Sequence, residues 1–385
     1  MRPDIDRWEL TRHFANKDRQ TSDITALLES MHEPAKPGEL SEAHSLARET
    51  IYEVAEPLVP WAIERDRTGA HRLTPAGEIA RRTYNEATET IQSEDIKWLS
   101  WSENRGHLLN ELHDTGPISP KELSERDQMP RKRTIRRNFD DFEDRDWIIR
   151  EDHSEVAKLT IDGEETSREY HELLIKMEQV IDKAPCLRDL GLECSDLPVV
   201  ALADTEMVEA TPGNPLRIER RVGELSNKEF EHFRAFQSHW NSENAEAFHP
   251  HVKAGKQFET ISRPLGYEEI PKNASDIRII AEGLKAENQR WLMSPEELPC
   301  SLVILDTDYI AIGARDPASS NQIRTGALFS SNDELIDWGL SLYKDYKQEA
   351  TDPFNFSVGF SIGIDELLTL LREHLQDDDE DPEDG

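Results

Sequence analysis

The chain has 385 residues, 79 of them Asp or Glu against 45 Lys or Arg, for a formal net charge of -34. Its hydrophobic content is low at 36%, yet eight Trp and twelve Phe can seed cores for about two or three domains, and apolar periodicity almost from end to end excludes a disordered chain. No apolar run approaches the ~18 residues of a membrane span, Met1 to Asp6 carries no apolar signal region, and Cys186, Cys194 and Cys300 form no CxxC pair, which argues against a disulfide framework or structural zinc.

Residues 1–20 are polar and read as a short helix or an arm. Ile24, Leu27, Leu28 and Met31 then give a helical stripe. Pro34 to Gly38 breaks it, Glu39-Leu40-Ser41 opens a second helix, and Thr50-Ile51-Tyr52 sits in a third. Trp61-Ala62-Ile63 reads as a strand, Thr68-Gly69 as a turn and His71-Arg72-Leu73 as the returning strand. Thr74-Pro75 caps a further helix. The same order recurs downstream. Leu108, Leu109 and Leu112 form the stripe, Gly116-Pro117 the break, and Glu122-Leu123-Ser124 the second helix. Thr134-Ile135, Trp147-Ile148-Ile149 and Leu159-Thr160 follow, with Gly163 answering Gly77 and Tyr170 answering Tyr84. The landmarks keep their order at an offset of about 83 to 86, which predicts an internal duplication.

In the second copy the third helix opens on Arg131-Lys132-Arg133-Thr134-Ile135-Arg136-Arg137, five basic residues in seven of an anionic chain. Ile135, Phe139 and Phe142 mark its buried face, so Arg133, Arg136, Arg137 and Asn138 are expected to project elsewhere. Repulsion between like neighbours disfavours such clustering. An anionic partner favours it, and the phosphates of duplex DNA are the commonest. In the first copy the equivalent helix, with Arg48 and Thr50, is not basic. Its hairpin is basic, through Arg65, Arg67, His71 and Arg72, whereas the second copy's hairpin, residues 151–155, is acidic.

Three helices followed by a two-stranded ribbon are the order of a winged helix-turn-helix. The segment Pro130 to Ile149 resembles archaeal winged-helix transcriptional regulators through Thr134-Ile135, Arg137, Phe139, Phe142 and Trp147-Ile148. Arg131 stands where that family carries an N-cap serine, and Lys132 where it carries arginine. The acidic excess, spread along the chain, resembles proteins of salt-loving archaea, in which carboxylates stay hydrated and repulsion is screened.

Glu164 to Lys183 reads as an amphipathic connecting helix that could pair with its twin in a dimer. From Pro185 strands and helices alternate. Leu197 to Ala203, Phe258 to Ile261, Ile277 to Ile280, Leu302 to Leu305 and Ile310 to Ile312 read as strands, and Leu335 to Tyr346 as a closing helix. Here Leu202 to Pro215, Leu302-Val303-Ile304-Leu305-Asp306 with Ile312-Gly313-Ala314, and Leu335 to Trp338 resemble the middle domain of methanogenesis-regulator-type transcription factors. That resemblance implies a phospholipase-D-like fold used for ligand sensing. Phe354 to Leu375 reads as a last helix, and the residues after it as an acidic disordered tail.

No enzyme signature emerges. His251-Val252-Lys253 echoes a phospholipase D motif, but Phe258 stands where its aspartate belongs. Asp306 and Asp308 fit a hairpin turn, and no P-loop, G-x-S-x-G or H-E-x-x-H occurs. The reading is a mainly α chain with an α/β part. It comprises tandem winged helix-turn-helix domains at 20–93 and 94–163, a connecting helix at 164–184, an α/β phospholipase-D-like sensor domain at 185–350 and a tail at 351–385. The expected function is that of a cytoplasmic, homodimeric, DNA-binding transcriptional regulator with no cofactor, metal or membrane contact, controlled by a small-molecule effector or partner. Arg133, Thr134, Arg136, Arg137 and Asn138 are the candidates for base edges and phosphate, Arg131 and Lys132 for phosphate, and Arg48, Thr50, Arg65, Arg67 and Arg72 for flanking contacts. The alternative is a winged-helix module that binds protein and has no DNA specificity of its own.

Overall fold

The computed structural model describes residues 3, 5–15, 24–150, 155–237, 240–263, 273–314 and 326–351. Its contacts divide the chain into two compact units, Met1–Ala184 and Pro185–Gly385.

The first unit opens on helix α1 (Arg7–Ala15), followed by α2 (Ile24–Glu29), α3 (Pro37–His44) and α4 (Arg48–Ala55). A hairpin of β1 (Ile63–Arg65) and β2 (His71–Leu73) leads into α5 (Pro75–Thr90). After α6 (Ser93–Ser100) the order returns: α7 (Glu103–Thr115), α8 (Pro120–Ser124), α9 (Lys132–Glu143), hairpin β3 (Ile148–Arg150) and β4 (Ala157–Leu159), then α10 (Ile161–Leu187). The repetition extends to single bonds. Ala35 bridges His71 of the first hairpin as Ile118 bridges Ala157 of the second. Thr74 N donates to Ala62 O, and Thr160 N to Trp147 O, both at 2.9 Å. Thr74 Oγ1 accepts from Gly77 N at 3.2 Å and Thr160 Oγ1 from Gly163 N at 3.0 Å, so each threonine caps the helix that follows its hairpin. Both glycines are required by close approach. A Cβ would lie 2.2 Å from Ala62 O at Gly77 and 1.9 Å from Trp147 O at Gly163.

Of the short helix or arm expected near the N-terminus, a helix forms over Arg7–Ala15, and its Trp8, Leu10 and Phe14 are buried. The Trp8 ring lies 6.0 Å from that of Tyr170 on α10, and Gly106 of α7 leaves it room. In α6, Trp98 is sandwiched between the guanidinium groups of Arg105 and Arg145, 3.9 and 4.0 Å from its ring centre. This arrangement ties α6 to the following helices.

The second unit is an α/β layer structure. Its elements are β5 (Glu206–Glu209), α11 (Arg217–Gly223), β6 (His232–Gln237), α12 (Ser242–Lys253), β7 (Gln257–Ser262), α13 (Ala274–Lys285), β8 (Gln289–Met293), β9 (Ser301–Leu305), β10 (Tyr309–Gly313), β11 (Gly326–Ser330) and α14 (Asp333–Glu349). Among the described residues the sheet has seven strands in the order β5-β11-β10-β9-β6-β7-β8. β6, β7 and β8 run parallel, joined by the crossover helices α12 and α13, and the remaining pairs are antiparallel. Alternation sorts the side chains. Phe233, Ala235, Phe258, Leu305, Ala311 and Phe329 face one core with Ile218 of α11 and Phe248 of α12. On the opposite face α14 packs Tyr343 against Phe236, ring centres 5.5 Å apart, and Gly339 against Ile310.

Two expected strands are corrected. Ile277 to Ile280 lies in helix α13, where Ile277, Ile280 and Ala281 make one buried face. The run Leu197 to Ala203 is no strand either, since Val200–Asp204 is a 3-10 helix. The strand expected at Trp61-Ala62-Ile63 begins only at Ile63. The expected last helix and acidic tail lie outside the described residues.

Candidate nucleic-acid interface

Helix α9 buries Ile135, Asn138, Phe139 and Phe142, the i, i+3, i+4 and i+7 positions of one stripe. Its N-cap is Arg131, in extended conformation and with no side-chain cap bond, so the capping serine of the resembled family has no substitute here. Arg131, Arg133, Arg136 and Arg137 are exposed, with Lys132 and Thr134 half-buried. Arg131, Arg133 and Arg137 have no ion-pair partner among the described residues.

Lys132 and Arg136 do have one. Glu155, just before β4, accepts from Lys132 Nζ at 3.0 Å and from Arg136. Those two donors, Lys132 first, hold its carboxyl below the usual carboxylate range. The acidic hairpin thus folds a carboxylate back onto the basic helix. Residues 151–154, read as acidic with it, lie outside the described residues.

Asn138 departs from expectation. It is 2% exposed, and its amide donates to Thr134 O at 3.0 Å. Position i+3 from Ile135 puts it on the buried stripe, so it cannot reach a base edge while the helix is intact.

In the first copy, Arg48 and Thr50 stand in the first turn of α4. Arg48 is exposed and lies over Gly38, where a Cβ would meet its guanidinium at 3.0 Å. Arg65 sits 5.9 Å from the Tyr52 ring, Arg72 pairs with Glu64 at 3.7 Å, and Arg67 is exposed at the hairpin tip. His71 does not belong with these cations. It is 2% exposed, and burial, then Arg65, lowers its pKa, which favours the neutral ring.

Elsewhere, the His251 ring lies tilted against Phe230 at 4.9 Å between ring centres, and Lys253 pairs with Glu282 at 2.7 Å, so the two diverge from the end of α12. Asp306, at φ 51°, accepts from Glu231 N and His232 N at 2.9 and 2.7 Å, which ties the β9–β10 turn to the start of β6. Among the described residues no His, Cys, Asp and Glu cluster could hold a metal ion. None of their helices is long and apolar enough to cross a membrane. Sequence reasoning missed Glu155 as a partner of the helix, though its acidic neighbourhood was visible. It also missed Glu219, a carboxylate on the inward face of α11 between Ile218 and Val222.

Two family models match parts of the chain. Residues 93–180 match the HVO_A0261 N-terminal domain, and residues 215–349 match the middle domain of the methanogenesis regulatory protein FilR1. In these two segments the chain is similar to archaeal regulator-type proteins. No curated protein matches it. Solved structures that match include NucT from Helicobacter pylori, at 14% identity over 38% of this chain and 98% of that one, TM-score 0.31. They also include TrmBL2, described as an archaeal chromatin protein with a novel mode of DNA binding, at 8% identity over 64% and 91%, TM-score 0.31. A phospholipase D family member, Nuc from Salmonella typhimurium, matches at 11% over 38% and 97%, TM-score 0.30. TM-scores this low establish no shared fold.

Proposed function

We propose that the chain is a transcriptional regulator whose first unit binds duplex DNA sequence-specifically and whose second unit controls it. In this reading the two three-helix-plus-hairpin modules are tandem winged helix-turn-helix domains, and α9 is the helix that enters the major groove. One observation carries it: α9 holds Arg131, Arg133 and Arg137 on its solvent side, without ion-pair partners among the described residues, in a chain of net charge -34. Arg133 and Arg137 are one helical turn apart, the spacing for reading neighbouring base edges, with guanine the natural partner of each. Thr134, Lys132, Arg131 and Arg136 would grip phosphate, and Arg48, Thr50, Arg65, Arg67 and Arg72 of the first module a flanking stretch. One short helix specifies few base pairs, so a homodimer on a repeated site follows.

The test is selection of bound fragments from a random DNA library at roughly molar KCl. Wild type and the double variant R133E/R137E, shown to be folded, are compared. A motif recovered by wild type alone is the expected result. No enrichment by either protein would transfer the helix to the second reading, a module that docks an acidic protein surface. That reading draws on the Glu155 contact, in which the chain itself lays a carboxylate on the helix.

A further inference from the structure

The second unit contains a cavity of about 150 Å³ between the sheet and α11, α12 and α13. It runs along β6, β7 and β8, from Phe233, Phe258 and Gln289 near their starts to Gln237, Thr260 and Trp291, and reaches the N-terminus of α12. The walls are aromatic, chiefly Phe233, Phe248, Phe258, Trp240 and Trp291. A volume near 150 Å³ accommodates roughly one benzene-sized ring.

Four buried polar atoms in this wall have no hydrogen-bond partner among the described residues: Glu219 Oε2, Asn244 Oδ1, Trp240 Nε1 and Ser301 Oγ. A buried polar group left unpaired costs about 1–3 kcal/mol, more if charged. Each of the four has almost no accessible surface, so an occupant satisfies them by turning these side chains toward the cavity. Their chemistry restricts it. Glu219 and Asn244 offer oxygen acceptors, Trp240 can only donate, and Ser301 can do either. Among the described residues no Lys or Arg lines the cavity, and His249 is bonded to Glu282 at 2.8 Å. A phosphate or carboxylate would meet the Glu219 carboxylate with no lysine or arginine among the described residues to offset it. A protonated amine would find an anionic acceptor, an amide oxygen and aromatic faces that attract cations.

We infer that this cavity binds a small organic amine: an ammonium group against Glu219 and Asn244, and an apolar body of about one ring among the aromatic side chains. This rests on the reading of the second unit as the controlling half and names the class of its effector.

The experiment uses the full chain without DNA, so that failed ligand binding and failed DNA binding are read separately. Thermal shift and calorimetric titration compare 2-phenylethylamine, 2-phenylethanol and phenylacetate, which share size and shape but carry different charge. The amine should bind at least about tenfold more tightly than the alcohol, as expected for a charge-assisted bond, and phenylacetate should not bind. Glu219→Gln should remove the preference for the amine over the alcohol. Ala245→Phe, which fills the cavity, should abolish binding of both. The inference is overturned if the amine produces no shift, if phenylacetate binds as well as the amine, or if a folded Glu219→Gln variant keeps the amine preference. The comparison among the three probes on wild type decides the matter even where a variant does not fold.

Discussion

At the scale of single residues, α9 shows a helix whose charge is partly answered from within. Glu155 holds Lys132 and Arg136, and these are the groups a phosphate would otherwise take. The pair is solvent-exposed, so its contribution to folding is small. In the proposed DNA-binding role its effect is competition, since a duplex would have to displace the carboxylate or tolerate it beside the backbone. Glu155→Gln should therefore raise affinity for the selected duplex roughly twofold to tenfold and steepen the dependence of binding on salt, because two more cations become available to release counterions. Fluorescence anisotropy at several KCl concentrations measures both. An unchanged slope would mean that Lys132 and Arg136 do not face the DNA. Arg133→Ala and Arg137→Ala should each cost about 1–3 kcal/mol, confined to one base pair of the recovered motif. Asn138→Ala is expected to act differently: its side chain is buried and bonded to Thr134 O, so loss of stability rather than of specificity should follow.

At the scale of elements, the duplicated module is held by the same bond set twice. The turn after each hairpin is the tightest place in it. Gly163→Ala would gain helix propensity of up to about 1 kcal/mol. The added Cβ, 1.9 Å from Trp147 O, forces β3 and α10 apart, and that term wins. A net loss of about 1–3 kcal/mol is expected in chemical denaturation. Gly77→Ala, 2.2 Å from Ala62 O, should behave alike, and Gly213→Ala, with nothing within 4 Å, should change stability by no more than about 0.5 kcal/mol. These glycines and threonines were readable in the sequence because their roles are local and recur at fixed offsets. Local apolar runs read less well. Ile277 to Ile280 is as apolar as a buried strand, and only the flanking Ala274–Lys285 pattern shows the helix. The strands β5 and β6, Glu206–Glu209 and His232–Gln237, escaped because charged and polar residues interrupt them at the sheet's exposed positions. The cavity could not be read at all: Glu219, Trp240, Asn244 and Ser301 are brought together by the sheet, and no spacing in the chain joins them.

At the scale of the whole molecule, the charge of -34 sets the conditions under which either unit is stable. At ~0.1 M salt the Debye length is about 10 Å, so carboxylates spread over the surface repel one another; at ~1 M it is about 3 Å and that repulsion is screened. Thermal midpoints should therefore rise between 0.1 and 2 M KCl, by roughly 5–10 °C if screening returns a few kcal/mol to units of this size. With repulsion screened, two histidines, the half-buried His13 and the buried His71, govern the response to mild acid. Burial lowers the pKa of His13, against the hydrogen bond to Val54 O, and lowers that of His71, helped by Arg65. The unfolded chain then binds protons near its ordinary value of 6.5 while the folded chain does not, so stability falls as pH drops through that value and levels off below the folded pKa values. At ~2 M KCl, where the Debye length is only a few Å, amide exchange in α1 and in the β1–β2 hairpin should accelerate between pH 7.5 and 5.5 beyond the intrinsic pH trend. Exchange in α14, which has neither histidine, should follow the intrinsic trend alone. Equal acceleration in α1 and α14 would show that residual repulsion across the molecule, not histidine burial, still sets its stability in strong salt.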